Sequence, residues 1–388
     1  MSYLSHLQCS HCGQIHAADQ LIRLCPDCAH PLLACYDLDK AAHEIDRDAL
    51  CQRPANMWRY RELLPVRDPR YIVTLGEGGK PVLKMEQLGR EMGLSQLYIK
   101  DEGQNPTGSF KALGLAAAVS RALELGVTEF VIPTAGNAGG ALAAYAARAG
   151  VTAHVYMPGD APLINITEVQ MTGADLRLIN GLINDAGRAA AADAQEGGWF
   201  DVSTLKEPYR VEGKKIMGYE LAAAFDWELP DVIIYPTGGG TGLIGMWKAF
   251  AEMEAMGWIG AKRPRMVAAQ SDGCAPVVKA FHEGQEATEP WENAATLAGG
   301  LRVPVTIGGE QMLRALYESD GTAVAVPDSR ILAAQQKLAM CEGMFVSLEA
   351  AATVAALEIL VANGWIHPDE RVLVFNTGSG LKYRLLLT

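Results

Sequence analysis

Asn105-Pro106-Thr107-Gly108-Ser109-Phe110-Lys111 stands between an extended run, Leu97-Tyr98-Ile99-Lys100, and an alanine-rich run that begins at Ala112. Asn-Pro and Thr-Gly are turn chemistry, and a serine hydroxyl caps a helix start, so the stretch reads as strand, turn and helix with Ser109 as the cap. Lys111 then falls in the first helical turn. There the unpaired amides and the positive end of the helix dipole disfavour an ammonium and lower its pKa, which a lysine needs in order to attack a carbonyl. Taken alone, such a lysine is a solvated surface residue.

Outward from this turn, short apolar runs alternate with helical ones. Glu129-Phe130-Val131-Ile132-Pro133 precedes a glycine turn and the helix-like Ala141 to Arg148. Val155-Tyr156-Met157 precedes a helix near Thr167 to Met171, and Leu176, Leu178 and Ile179 precede the alanines at 189–192. The pattern recurs with strands at Val232 to Tyr235, Met266 to Ala269 and Val372 to Phe375. Buried strands separated by helices of ten to fifteen residues imply parallel βαβ units, hence two doubly wound α/β domains. Residues 37–110 read as a connector and the start of the body, with a helix from Trp58 to Leu64. Residues 111–215 read as a smaller domain and 216–388 as a larger one. Ligands bind at the carboxyl ends of strands in such sheets, and each chemical motif below follows a strand.

At 388 residues, with 49% hydrophobic and 20% charged residues, the composition is that of an ordinary globular protein. The net charge of -12 argues against nucleic acid as a partner. No signal-peptide signature opens the chain and no apolar run suits a membrane span, so a cytoplasmic protein is expected. Of eight cysteines, Cys9 and Cys12, then Cys25 and Cys28, form two Cys-x2-Cys pairs. This spacing suits four thiolates on one structural zinc in a small ribbon over residues 1–36. Gly13 follows the first pair, whereas Ala29 follows the second. Four unligated thiols are the plainer alternative; His11, His16, His30 and Cys35 are nearby substitutes. Cys51, Cys274 and Cys341 read as small buried residues.

Gly238, Gly239, Gly240, Thr241 and Gly242 follow the strand Val232-Ile233-Ile234-Tyr235 and lead into a helix. Such a turn brings backbone N–H groups to a single phosphate, although tight connections use the same residues. Neither a Walker lysine nor the Rossmann spacing is present. Asn137 lies in the turn after Val131-Ile132, where a left-handed turn residue would serve equally. Arg210 lies in Glu207-Pro208-Tyr209-Arg210-Val211-Glu212-Gly213-Lys214, as an anion ligand or as a surface arginine paired with Glu207 or Glu212.

In identity and order these segments, with Leu75-Gly76-Glu77-Gly78, Lys100-Asp101-Glu102, Thr134-Ala135-Gly136-Asn137-Ala138-Gly139 and Thr377-Gly378-Ser379-Gly380-Leu381-Lys382, resemble the fold-type II pyridoxal-phosphate enzymes, threonine synthases most closely. The resemblance runs from about Leu75 to the end of the chain. It implies that Lys111 carries pyridoxal phosphate as a Schiff base and shuttles protons, that the glycine loop at 238–242 holds the cofactor phosphate, and that Asn137 meets the phenolic oxygen. It further implies that Thr377, or Ser379 in place of a usual histidine, faces the ring nitrogen. Thr134, Ala135, Gly136 and Ala138 match the loop for the substrate carboxylate, with Ala135 replacing a hydroxyl residue, and Arg210 matches the ligand of the substrate phosphate.

Other departures bear on the substrate. Ala112 and Leu113 replace charged residues, Thr204 and Leu205 stand where polar phosphate ligands are usual, and the glycine loop is closer to that of the dehydratases. The reaction implied is conversion of O-phosphohomoserine to threonine and phosphate by a homodimer acting on a small amino-acid substrate. The alternatives are a threonine or serine dehydratase or a β-replacement enzyme of the same fold, and a non-catalytic scaffold built on the ribbon.

Overall fold

The computed structural model describes residues 1–181 and 183–383. Two compact units alternate along the chain: Met1–Gly79 with Asn105–Ile216, and Lys80–Gln104 with the chain from Met217 onward. The expected connector at 37–110 therefore divides between them. The reason is hydrogen bonding, because Gln96–Asp101 is a strand that pairs in parallel with Arg371–Asn376, far away in sequence.

In the second unit six strands follow the order Thr322–Val326, Arg265–Ser271, Val232–Pro236, Arg371–Asn376, Gln96–Asp101 and Val82–Lys84. The first five are parallel, while Val82–Lys84 runs antiparallel to Gln96–Asp101, so the sheet is mixed. The link between those two strands falls short of the dozen or more residues a parallel crossover needs. Val232–Pro236 is buried throughout, the signature of a central strand covered on both faces. Against the sheet lies Leu348–Ala362, a helix apolar on all sides and correspondingly enclosed. Each fully buried Val, Leu or Ile here stabilises the fold by roughly 1.5–3 kcal/mol.

The first unit holds a smaller sheet, all parallel, in the order Asp175–Ile179, Thr152–Pro158, Glu129–Pro133 and Phe200–Asp201. Two alanine-rich helices, Lys111–Glu124 and Asn137–Ala149, pack against each other, with small side chains allowing close approach. The segment expected as a helix from Trp58 to Leu64 is a kinked 3-10 stretch, Met57–Leu63, with Tyr60 off helical angles. Glu77 is fully buried beneath it and accepts hydrogen bonds from Trp58 Nε1 at 2.8 Å, Tyr145 Oη at 2.7 Å and Leu75 N at 2.8 Å. These bonds tie the Leu75-Gly76-Glu77-Gly78 turn in place, since a buried carboxylate must be satisfied.

At the start of the chain Leu4–Cys9 pairs antiparallel with Ile15–Ala17 and with Leu32–Tyr36. Leu7, Leu32 and Ala34 share one small core with Ala118 and Tyr209 from two helices of the same unit. Arg121 Nη2 donates to Ala18 O at 2.8 Å at that junction. Among the described residues no helix is long and apolar enough to cross a membrane.

Candidate functional site

Lys111 is the first residue of its helix, as the turn chemistry predicts, but the cap differs. Phe110 occupies the cap position, and the Ser109 hydroxyl accepts from Lys111 N only at a long 3.4 Å. Ser109 is fully buried, and the turn closes instead through Gly108 N on Asn105 O at 2.8 Å, with Gly108 at φ 64. The Lys111 ammonium stands 4.4 Å from the centre of the Phe110 ring, and that of Lys214 stands 4.9 Å from it.

Lys214 reaches this place because two helices of the first unit touch through glycines. A Cβ on Gly213 would come within 2.0 Å of Leu113 O, and one on Gly114 within 3.0 Å of both Arg210 O and Lys214 Cε. Of the two readings of Arg210, an anion ligand or a surface arginine paired with Glu207 or Glu212, the second does not hold. Arg210 is 1% exposed, its Nη1 donates to Val202 O at 2.6 Å, and Nε and Nη2 have no hydrogen-bond partner among the described residues. Glu207 accepts instead from the backbone N–H groups of Tyr209 and Arg210. Burial pushes the Glu207 carboxyl up to about 7 against the pull of Arg210, and drives the Lys214 ammonium well below its ordinary value with help from Arg210 and Lys111.

Asn137 opens the helix Asn137–Ala149 after the strand Glu129–Pro133, and it is helical rather than left-handed. Its Oδ1 is buried without a hydrogen-bond partner among the described residues. Beside it the Thr134 hydroxyl accepts from Gly136 N at 3.1 Å, and Asn165 Nδ2 donates to Ala135 O at 3.4 Å. This loop gathers Thr134, Ala135, Gly136, Asn137 and Ala138 at the carboxyl end of one strand. Asn165 and Thr107, each with a buried unpaired oxygen, are missed by the sequence reading, as are Glu207 and Lys214.

In the second unit the glycine loop and Thr377 follow neighbouring parallel strands, Val232–Pro236 and Arg371–Asn376. Gly240 takes φ +70 immediately before the helix Thr241–Ala255, and a Cβ there would sit 2.0 Å from Met312 Sδ. A Cβ on Gly238 would meet Gly300 O at 2.2 Å, and one on Gly242 would meet Tyr235 Oη at 1.9 Å. The glycines are therefore required by packing, and the same geometry leaves a helix N-terminus at the strand end. Thr377 is buried, and the Ser379 hydroxyl accepts from Leu381 N at 3.3 Å. Asn376 Nδ2 donates to Asp101 Oδ1 at 2.6 Å, joining this strand end to the Gln96–Asp101 strand.

The residues fit pyridoxal phosphate: an amine on a turn, an amide with an orphaned oxygen, a glycine-rich helix start, and a buried hydroxyl at a strand end. The four module cysteines fit a metal equally well. Their sulfurs lie within 4.8 Å of one another, with Cys9–Cys28 at 3.5 Å, Cys12–Cys28 at 3.6 Å and Cys12–Cys25 at 3.7 Å. Tetrahedral thiolates about 2.3 Å from zinc are roughly 3.8 Å apart. Gly13 is left-handed at φ 75, and Ala29 adopts φ 57 without a glycine's freedom, so both pairs make the same turn. His16 Nε2 approaches Cys25 Sγ at 3.7 Å. Of the other cysteines expected to be buried only Cys274 is, Cys51 being exposed and Cys341 half-buried.

Comparison with known proteins agrees with the chemistry. The profile of a family described as "Pyridoxal-phosphate dependent enzyme" matches residues 73–378. A threonine synthase of Methanocaldococcus jannaschii is 36% identical over 376 residues, covering 97% of this chain and 92% of the relative. One from Methanosarcina acetivorans is 38% identical over 379 residues, with the same coverages. Among solved structures, the processed form of threonine deaminase isoform 2 from Solanum lycopersicum superposes with a TM-score of 0.69 at 22% identity, over 86% of this chain and 85% of that one. A fungal L-serine ammonia-lyase from Rhizomucor miehei gives 0.67 at 22% identity, over 77% and 93%. These two share the fold. With a family profile spanning most of its length and relatives more than a third identical across nearly all of it, the chain belongs to the fold-type II pyridoxal-phosphate-dependent enzymes as a threonine synthase-like member.

Proposed function

We propose that the protein converts O-phosphohomoserine and water to threonine and phosphate. The observation that carries this reading is Arg210, whose Nε and Nη2 are buried without a hydrogen-bond partner among the described residues and suit bidentate contact with a phosphate. Kinship with threonine synthases supports it. When bound, pyridoxal phosphate withdraws electrons from the substrate carbon skeleton. Lys111 would carry it and move protons at the α- and β-carbons. Asn137 would bind its phenolic oxygen, Gly238, Gly239, Gly240, Thr241 and Gly242 its phosphate, and Thr377 or Ser379 its ring nitrogen. A hydroxyl there leaves the ring nitrogen unprotonated, which suits elimination and replacement better than transamination. Thr134, Ala135, Gly136 and Ala138 would hold the substrate carboxylate through backbone N–H groups and one hydroxyl.

Incubation with O-phosphohomoserine, threonine and serine in parallel tests the assignment. Stoichiometric phosphate and threonine are expected from the first. Release of 2-oxo acid and ammonia from threonine or serine, with O-phosphohomoserine untouched, would establish the dehydratase reading, which the glycine loop favours.

The four clustered thiolates support a structural zinc in a ribbon, and they suit a reducing, cytoplasmic compartment. The family resemblance supports a homodimer. Metal analysis of purified protein should find about one zinc per chain, and Cys25→Ser should lose it and lower the melting temperature by roughly 5–10 °C, because binding and folding of so small a module are coupled. A metal-free wild type with unchanged melting temperature would remove zinc from the description.

A further inference from the structure

The segment from Arg67 to Gly78 is tied at three points to the helix Lys111–Glu124 and to the turn before it. Arg67 N and Asp68 N donate to the Glu124 carboxylate at 3.0 and 2.6 Å, and Val73 N donates to the buried Ser120 hydroxyl at 2.9 Å. Gly78 N donates to Asn105 Oδ1 at 3.0 Å. Asn105 is itself buried and begins the turn that delivers Lys111, closing it through its carbonyl on Gly108 N. One residue before Gly78, four donors meet the buried Glu77 carboxylate. Trp58 Nε1 donates to Oε1 at 2.8 Å, while Tyr145 Oη, Leu75 N and the Thr74 hydroxyl donate to Oε2 at 2.7, 2.8 and 3.2 Å. Four donors need acceptor sites alone, which a carboxylate offers and a glutamine amide does not. Burial, with Glu77 beside it, pushes the Tyr145 phenol well above its ordinary value, so the phenol stays the donor.

The two carboxylate oxygens thus serve different elements. Oε1 holds the 3-10 stretch Met57–Leu63, which carries no site residue, and Oε2 holds the helix Asn137–Ala149 through Tyr145. That helix and the Lys111 helix meet through alanine faces, which resist sliding weakly, whereas hydrogen bonds fix direction as well as distance. We propose that Glu77 is a positioning residue for the cofactor: through Tyr145 on one side and Gly78 and Asn105 on the other, it holds Asn137 and Lys111 at the separation at which both meet one bound ring. This rests on reading Lys111 and Asn137 as cofactor residues. Glu77 acts through Tyr145 and Asn105 rather than by contact with the ring. A displacement of about 1 Å at a reacting group costs up to about 100-fold in rate, so loosening this clamp acts on turnover more than on substrate binding.

Tyr145→Phe and Trp58→Phe each remove one donor from Glu77, the first from the helix of Asn137 and the second from a stretch outside the site. Each is loaded with pyridoxal phosphate, and the visible circular dichroism per bound cofactor, kcat and KM for O-phosphohomoserine, and a melting curve are recorded. Both variants should melt roughly 1–4 °C below wild type, as loss of one hydrogen bond requires. Tyr145→Phe alone is expected to change the visible circular dichroism of the cofactor and to lower kcat roughly ten-fold with little change in KM. Glu77→Gln, which sets an amide donor against a donor, should do the same. A Tyr145→Phe protein that keeps the wild-type cofactor band, or whose band Trp58→Phe matches, would overturn the role of Glu77 while leaving Lys111 in place. A wild type that shows no visible band with added cofactor would overturn the cofactor assignment of Lys111 and Asn137, and this role with it. If wild type leaves O-phosphohomoserine untouched, the reaction proposed above falls, and the band, which needs no substrate, still decides the role of Glu77. If Glu77→Gln fails to fold, the comparison of Tyr145→Phe with Trp58→Phe decides alone.

Discussion

Lys111→Ala is expected to give a folded protein that has lost the visible absorbance of bound cofactor and at least 10³-fold of its activity. Folding should survive because Lys111 is only half-buried and occupies the first helical position, where alanine is favourable and an ammonium is not. The module core, the paired glycines and Glu77 are untouched by the change. Absorbance scans and a melting curve on one sample separate the two effects. A variant that keeps the cofactor absorbance and turns over at the wild-type rate would show that another amine carries the chemistry. Lys214, whose amine lies over the same Phe110 ring, is a candidate, and loss of the Lys111 charge would also relieve some of the repulsion that lowers the pKa of Lys214.

Arg210→Met is expected to raise KM for O-phosphohomoserine by about 100-fold or more, equivalent to roughly 3 kcal/mol, with a smaller change in kcat. Methionine keeps much of the buried volume while removing the N–H groups that a phosphate would use. An unchanged KM would take Arg210 out of the site. The variant also makes a statement about pH. In wild type the Glu207 carboxyl is raised from 4.5 to about 7 by burial. A raised carboxyl favours the fold while protonated, so its contribution is complete below 4.5 and disappears as pH climbs through about 7. Without Arg210 that loss extends to higher pH, and denaturation midpoints at pH 5 and pH 8 should separate further than in wild type.

The parts of the fold visible in the sequence are those set by short-range pattern. Val232-Ile233-Ile234-Tyr235 and Glu129-Phe130-Val131-Ile132-Pro133 announce themselves as buried strands, and both are strands. Thr322–Val326 and Val82–Lys84 went unrecognised, being an alanine-diluted edge and a three-residue edge. Local periodicity also cannot reveal that Gln96–Asp101 leaves its sequence neighbours to pair with Arg371–Asn376. Residues in linear motifs, such as Lys111, Asn137 and the glycine loop, were legible. Glu207, Lys214 and Asn165 were not, because their interest lies in burial, which only the packed chain defines.

The cysteine module has one further consequence. Leu7, Leu32 and Ala34 share a core with Ala118 and Tyr209, and Arg121 holds the carbonyl of Ala18. Ala118 and Arg121 belong to the helix that begins at Lys111, and Tyr209 immediately precedes Arg210. The first three dozen residues are therefore no detachable appendage. A chain trimmed to begin at residue 37 would bare an oily flank on both elements that present the amine and the guanidinium, so shortening the protein for convenience would loosen its chemistry as well as its solubility.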